Sequence, residues 1–374
     1  MRIAFVAAGG FDRSGRERVI PSLVWLVERL ARRHEVFVYI VRYHDLPCRY
    51  ELAGATVCDL GRPRTFLRQH TALMGAMRSD GPFDIVHGYW PRPAGLLAVA
   101  AGVRLGLPRI VTFDSGEFVS LPGIRYGQQM SWRARLGVGL AARLATRATV
   151  CSGFQASLAR RHGVEAEIVP LGVDTSLFRL RERAATGPPF RLLHVASLNP
   201  VKDQGTLLQA VHLLRSRSLD VRLDIVGEDT MQGTLQARAH ELGLDAAVTF
   251  HGFRSSDELV PLYHRAHLFV LTSLHEAAGV VLLEAACTGL PIAGSAVGYL
   301  ADWSPDRAAG VPPGDPVLLA AAIEALLRDP KRRHEMGLAA TAWAREHDAD
   351  WTARAFEGLY SDVIEAYRGS QQSR

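Results

Sequence analysis

The chain has 374 residues, 48% apolar and 22% charged, with a net charge of +5 and a mean hydropathy of +0.04. That length exceeds what one core usually organises, so two domains are expected, and the composition is that of a soluble globular protein. Four scattered cysteines (Cys48, Cys58, Cys151, Cys287) form no metal-ligand or redox pair, which suits reduced thiols in a cytoplasmic protein.

The charge is uneven. Residues 1–175 hold 23 arginines against 14 acidic residues, whereas the remainder is net acidic, and Lys202 and Lys331 are the only lysines. A basic half attracts phosphates, an anionic acceptor or an anionic membrane surface. Arginine used for lysine over a solvated surface reads equally well. No basic run is dense enough for a nucleic-acid footprint, so no nucleic-acid partner is expected.

At the N-terminus the apolar run Ile3 to Ala8 ends at Gly9-Gly10, too short for a signal-peptide core. Gly9-Gly10 reads best as the turn after a first strand. Strand-like runs follow at Val36–Val41, Asp84–Val86, Arg109–Thr112, Ala148–Val150 and Ile168–Val169. Between the first two strands, Leu23, Leu26, Val27 and Leu30 share one helix face. Ala94 to Val103 is Ala-rich and short, a buried helix rather than a membrane span. Arg125, Arg133, Arg135, Arg143 and Arg147 lie in a helical region, which admits peripheral contact with an anionic membrane.

The alternation restarts after a charged, then Thr-Gly-Pro-Pro stretch at Arg179–Pro189, read as a linker. Runs at Leu192–Ala196, Leu223–Val226, Val248–Phe250, Leu268–Leu271 and Pro291–Ala293 alternate with helical segments. Two α/β domains of the doubly wound, Rossmann-like kind are therefore expected, over residues 1–178 and 190–350, facing each other across a cleft.

Chemistry concentrates in Leu268 to Ser295. A buried strand ends at Thr272-Ser273, a loop carries Glu276, and a helix starting near Gly279 carries Glu284 until Gly289-Leu290-Pro291 stops it. The free N–H groups of Gly279, Val280 and Val281 at such a helix start suit phosphate or hydroxyl oxygens. Lys202 follows a parallel strand, a place that favours function over a plain turn. The apolar neighbours of Glu284 suggest a buried, partnered carboxylate rather than a solvated one.

These segments resemble the donor half of the retaining GT-B glycosyltransferases of family 4, the glycosyl transferases group 1 type. Ser197-Leu198-Asn199-Pro200-Val201-Lys202-Asp203 is similar to the loop opening that family's second domain. Leu223–Glu228, Phe250-His251-Gly252-Phe253 and Val311–Asp315 resemble its later strand ends and loops. Asp84–His87 and Pro170–Asp174 have counterparts in its first domain, and Asp350-Trp351 with the following helix (351–374) resembles the tail that completes that domain.

The resemblance implies that Lys202 neutralises a diphosphate, Glu276 binds donor-sugar hydroxyls and Glu284 the ribose. It also implies that amides at Gly279, Val280 and Val281 hold sugar or phosphate oxygens, and that the backbone at Phe253 meets the base. Ser197, Asn199 and Gly227 would line the same donor site. Ser14-Gly15, at the start of the first helix, would face the distal phosphate. Three departures stand out. Ser197 replaces an arginine, so an arginine of the basic half replaces it or activity is reduced. Asp114 replaces a histidine near the reacting sugar, and is either a sugar-binding or basic group or a turn residue. Tyr299 and Asp302 replace a glycine and a glutamate, suggesting a changed wall near the donor sugar. His87, Tyr89 and Trp90, after a strand end, either line an acceptor pocket or pack under a loop.

The implied activity is transfer of a hexose-type sugar from a nucleoside diphosphate sugar, UDP foremost, to a carbohydrate, lipid or small-molecule acceptor, with Asp114, Lys202 and Glu276 as catalytic residues. No cofactor is expected, and the lack of a placed Asp-x-Asp motif argues against a required divalent ion. The rival readings are a related sugar phosphorylase or nucleotide-sugar epimerase and, in another class, a non-catalytic sugar-nucleotide-binding partner subunit.

Overall fold

The structure, a computed structural model, describes residues 1–181 and 187–372. Part of the expected linker, residues 182–186, lies outside the described residues. The chain divides into two compact units: Met1–Gly172 with Ala349–Arg374, and Val173–Asp348. The division falls at 172/173, so the segment read as a linker belongs to the second unit.

Unit 1 carries strands β1 (Arg2–Ala7), β2 (Glu35–Ile40), β3 (Cys48–Leu52), β4 (Ala55–Asp59), β5 (Ile85–Tyr89), β6 (Arg109–Phe113), β7 (Arg147–Val150) and β8 (Glu167–Ile168). They form one sheet in the order β3-β4-β2-β1-β5-β6-β7-β8, parallel except for the β3–β4 pair. The helices between them are α1 (Pro21–Ala31), α2 (Phe66–Asp80), α3 (Leu96–Leu105), α4 (Trp132–Leu144) and α5 (Gly153–Arg161). β1, β2 and β5 are buried almost end to end because helices cover both faces, which is why they read as continuous apolar runs. α1 starts on Pro21, whose fixed φ suits a first helical turn, and buries Leu23, Leu26, Val27 and Leu30.

The β3–β4 hairpin escaped the sequence reading because CRYEL is an edge strand with alternating half-exposed positions and little apolar signal. Ser14-Gly15 does not open the first helix, which begins six residues later at Pro21. The two residues sit in a turn in which Asp12 accepts from the Ser14 N–H at 3.0 Å and Ser14 Oγ accepts from the Glu17 N–H at 3.1 Å. The helical region containing the arginines is α4 with Arg133, Arg135 and Arg143. Arg125 lies before it, and Arg147 opens β7.

Unit 2 carries β9 (Phe190–Val195), β10 (Val221–Val226), β11 (Val248–Phe250), β12 (Leu268–Leu271), β13 (Ile292–Ser295) and β14 (Ala309–Val311). All pair in parallel in the order β11-β10-β9-β12-β13-β14. The short β14, with a glycine at its centre, gave no periodic signal. Helices α6 (Gln204–Ser216), α7 (Thr234–Glu241), α8 (Ser256–Arg265), α9 (Val281–Cys287), α10 (Tyr299–Trp303), α11 (Pro316–Arg328) and α12 (Pro330–Glu346) complete the unit. Its core gathers apolar residues of β9, β10, β12, α6 and α11, among them Leu192, Leu223, Val270, Leu208 and Ile323.

The last helix, α13 (Ala349–Gln372), belongs to unit 1. Thr352 Oγ1 donates to the Pro170 carbonyl at 2.7 Å and accepts from the Gly172 N–H at 2.8 Å. Tyr360 Oη meets His87 Nδ1 at 2.7 Å, and His87 Nε2 meets Thr112 Oγ1 at 2.7 Å. His87 and Tyr89 thus lie within β5, completely buried, and not in a mouth. Burial alone holds His87 neutral, pushing its pKa down to about 3.

His87→Ala should cost roughly 3 kcal/mol at neutral pH, since it opens a cavity and leaves two buried hydroxyls short of a partner. His87 takes up a proton more readily when unfolded than when folded. Its contribution is therefore complete above its ordinary pKa and is lost as pH falls from about 6.5 toward 3. Urea unfolding should show the gap between wild type and variant narrowing as the pH is lowered through that window. A gap that does not change with pH would assign the linkage to another group.

Candidate active site

Because every strand of unit 2 runs parallel, the loops after them share one edge of the sheet. The chain order reverses direction between β9 and β12, the crevice where open α/β sheets bind ligands. Two segments flank that point. After β9, Asn199 caps a short 3₁₀ turn, Pro200–Lys202, by accepting from the Val201 N–H at 3.2 Å. Asp203 follows in the left-handed region, φ 46°, and opens α6 through Thr206. After β12, Thr272 Oγ1 donates to the Lys202 carbonyl at 2.9 Å and the Leu274 N–H donates to the Val201 carbonyl at 2.8 Å. The two loops are therefore laced together by backbone.

That lacing brings Lys202 Nζ to 2.5 Å from Glu276 Oε1, which also accepts from Ser273 Oγ at 2.6 Å. The other oxygen, Oε2, has no partner among the described residues. Both side chains are mostly buried, 22% exposed for Lys202 and 13% for Glu276. Burial pushes Glu276 up, but the Lys202 charge and the hydrogen bonds from Lys202 and Ser273 outweigh it. The carboxyl therefore lies below its ordinary value and is ionised at neutral pH.

Gly279 lies outside the helix at φ 84°, and α9 starts at Val281, two residues later than the sequence suggested. The N–H groups of Gly279, Val280 and Val281 have no acceptor among the described residues. Glu284 is 5% exposed and accepts from Tyr263 Oη at 2.7 Å through Oε2, leaving Oε1 with no partner among the described residues. Here burial wins: it raises Glu284 to about 7 against the pull of the Tyr263 hydrogen bond. Two carboxylates eight residues apart are thus driven in opposite directions, one by a cation and one by its absence.

The neighbouring strand ends add backbone. At Gly227, φ 149°, a Cβ would stand 1.9 Å from the Ala196 carbonyl oxygen, so only glycine allows β10 to end this close to β9. Its N–H donates to the Gly252 carbonyl at 2.9 Å, and Phe253 beyond is 52% exposed. Ser197 is exposed and accepts from the Asn199 side-chain amide at 2.9 Å. Tyr299 does not form a wall: it is 1% exposed and packs against Trp303 and Trp343.

In unit 1 the reversal lies between β1 and β5, and the residue after β5 is Trp90. Trp90 holds φ 63°, a sparsely populated conformation for a bulky side chain that costs about 1–3 kcal/mol. Its indole donates to the Asp114 carbonyl at 3.2 Å, and Tyr89 Oη donates to Asp114 Oδ2 at 2.8 Å. Asp114 is half-buried at the end of β6. Beneath its loop lies Glu117, which the sequence reading missed. It is fully buried, its Oε2 accepts from the Ser115 N–H at 2.8 Å and the Gln155 side-chain amide at 3.2 Å, and its Oε1 is buried without a partner among the described residues. Burial pushes this carboxyl up to about 8. Ser273, Tyr263 and Glu117 were all missed, and only Ser273, next to a strand end and three residues before Glu276, carried a local signal.

Ser14 and Gly15 lie on the loop after β1. Among the described residues one group has metal-ligand chemistry: His44, Cys48 and Asp59, with ligand atoms within 4.8 Å of one another. His44 is already engaged there, its Nδ1 2.6 Å from Asp59 and its Nε2 3.4 Å from Asp12. No helix among the described residues is long and apolar enough to cross a membrane.

Comparison with known proteins agrees with the fold and the family resemblance. Residues 179–343 match the glycosyl transferases group 1 family, and residues 19–174 match a glycosyl transferase 4-like domain. A D-inositol 3-phosphate glycosyltransferase of Acidothermus cellulolyticus is 30% identical, over 93% of this chain and 86% of its own. A GDP-mannose-dependent alpha-(1-6)-phosphatidylinositol monomannoside mannosyltransferase of Mycolicibacterium smegmatis is 28% identical, over 93% and 94%. Among solved structures, sucrose-phosphate synthase from Thermosynechococcus elongatus superposes with a TM-score of 0.80 at 20% identity, over 98% of this chain and 100% of that one. Anabaena HepE in complex with UDP-glucose gives 0.75 at 18%, over 97% and 100%. The fold is GT-B, and the chain is a glycosyltransferase that belongs to the group 1, family 4 type.

Proposed function

We propose that the enzyme transfers a hexose-type sugar from a nucleoside diphosphate sugar to an acceptor hydroxyl with retention of anomeric configuration. The observation that carries this reading is the Lys202–Glu276 pair at the switch point of unit 2, close in sequence to three backbone amides with no acceptor among the described residues. A lysine ammonium and aligned N–H groups stabilise the charge that builds on a departing diphosphate. Glu276, ionised and with Oε2 uncommitted, accepts from donor-sugar hydroxyls, while Glu284 Oε1 accepts from the ribose.

In unit 1, Asp114 holds a sugar or acceptor hydroxyl, kept in place by Tyr89 and by the Trp90 indole on its carbonyl. The strained Trp90 supplies the flat face for an acceptor; Tyr89 positions Asp114 from within β5, and His87 acts as packing beneath it. UDP is the expected nucleotide, a reading supported by HepE, whose structure holds UDP-glucose. The GDP-mannose-dependent relative makes GDP the rival. The acceptor is a carbohydrate, a lipid or a small molecule, and the enzyme works in the cytoplasm. With the leaving charge met by Lys202 and amides, no divalent ion is required.

A thermal-shift panel of UDP, GDP, ADP, dTDP and CMP should single out UDP, since a ligand of the native state raises its stability. No response to any nucleotide would sink the donor-site assignment. Lys202→Ala and Glu276→Ala should each lower kcat by about 10²- to 10³-fold while the fold survives, and wild-type turnover should persist in EDTA. Turnover untouched by either substitution, or abolished by EDTA and restored by manganese, would contradict the mechanism. Product formation should depend on an acceptor; sugar release to phosphate or water alone would indicate a phosphorylase or epimerase.

Glu284→Gln separates fold from function. The folded carboxyl titrates near 7 and the unfolded one near 4.5, so wild-type stability falls as pH rises through that window. The glutamine variant should be more stable by about 1–3 kcal/mol above pH 7 and show no gain near the unfolded value. Its nucleotide-induced thermal shift should nonetheless shrink. A variant less stable at every pH would show that the charge is not the cost.

A further inference from the structure

The outer face of α4 carries large apolar side chains in a row. Its inner face, Ala134, Gly137, Val138 and Ala141, is buried. On the opposite side stand Trp132, Leu136 and Leu140, at 63%, 65% and 45% exposed. Their i, i+4, i+8 spacing holds them within a narrow arc, and Met130, 43% exposed, extends the patch at its N-terminal end. Single exposed apolar residues need no explanation, but a large apolar stripe along a whole helix marks an interaction site.

The charge around the stripe states what fits it. Arg133 and Arg135 project to either side of the stripe by helix geometry, and Arg143 lies along it one turn further on. All three are exposed, and the Arg133 guanidinium sits 5.4 Å from the Trp132 ring. Residues 118–164 contain seven arginines and not one aspartate or glutamate. A second copy of this chain docking face to face would set these arginines against one another. A nucleic acid would leave the Trp-Leu-Leu stripe without a partner. An anionic lipid surface meets both demands: headgroups pair with the arginines while the apolar side chains enter the acyl boundary.

We propose that α4 is a peripheral membrane-docking helix, laid flat on an anionic bilayer through Trp132, Leu136 and Leu140 and held by Arg133, Arg135 and Arg143. It grips the membrane without crossing it. Nothing in this placement rests on the donor site or on the transfer reaction.

Co-sedimentation with vesicles of phosphatidylcholine alone, and of phosphatidylcholine mixed with phosphatidylglycerol, tests the assignment. The full chain should bind the mixed vesicles, ignore the neutral ones and lose affinity as salt is raised. The triple substitution Trp132→Ser, Leu136→Ser, Leu140→Ser should weaken binding by about tenfold or more, and Arg133→Gln, Arg135→Gln, Arg143→Gln should do so independently. Since all six side chains are exposed, both variants should keep the wild-type unfolding midpoint; if the serine variant does not fold, the glutamine variant decides. Equal binding to both vesicle types, undiminished binding by a folded variant, or a solution dimer that Leu136→Ser dissociates would each overturn the proposal. Binding to vesicles without any nucleotide-induced thermal shift would uphold it while rejecting the donor-site reading.

Discussion

The organisation of unit 2 converges on one ion pair. Lys202 and Glu276 come from loops 74 residues apart, held 2.5 Å apart because the strands before them are adjacent and the loops are hydrogen-bonded backbone to backbone. Withdrawing two charges this far from water is costly, and a pair of this kind is seldom retained for stability alone. Here the geometry recovers part of the cost: Ser273 shares the same carboxylate oxygen, and the Lys202 carbonyl is itself anchored by Thr272. The result is a cation and an anion fixed in place before any ligand arrives, as charge stabilisation in catalysis requires.

The second carboxylate shows what happens without a cation. Among the described residues Glu284 has only Tyr263, and burial raises its pKa to about 7. Glu117 in unit 1 rises further, to about 8, driven by its complete burial and, to a smaller extent, by the neighbouring Asp114 charge. His87 and His194 are pushed the other way, to about 3 and about 4, by the same burial acting on a base. Acids that resist ionising weaken the fold as pH rises, and bases that resist protonation weaken it as pH falls. On the proposed function, a ligand hydroxyl settling on Glu284 would favour its charged form and release a fraction of a proton to solvent near neutrality.

Much of this was legible in the sequence, for physical reasons that also explain the failures. Buried parallel strands such as Phe5–Val6 or Leu268–Leu271 declare themselves as apolar runs, and the Lys202, Glu276 and Glu284 positions follow from strand ends. The β3–β4 hairpin did not, because an edge strand need not be apolar. For His87 the sequence leaves an acceptor pocket and packing under a loop equally open, because a histidine after Asp84–Val86 looks like the end of a strand. In fact β5 continues through His87, Gly88 and Tyr89, and the buried imidazole is made tolerable by Tyr360, 273 residues away. Tyr263 and Glu117 were invisible for the same reason: their significance lies in partners that no local pattern names. Tyr299 was misjudged because its side chain turns into a Trp303–Trp343 cluster rather than toward the loop edge.

The return of α13 to unit 1 sets an order of assembly. On the ribosome the first 172 residues emerge well before the last 26, and everything in unit 2 is made in the interval. Unit 2 has its whole sequence available as soon as Asp348 is exposed, whereas unit 1 must wait with α1 lacking the helix that packs on it and with His87 lacking Phe356 and Tyr360. Unit 1 is thus begun before unit 2 and finished after it. Nascent chains that stall or are cut short before Tyr360 carry one completed unit and one unfinished one, the state in which newly made proteins are most prone to aggregate.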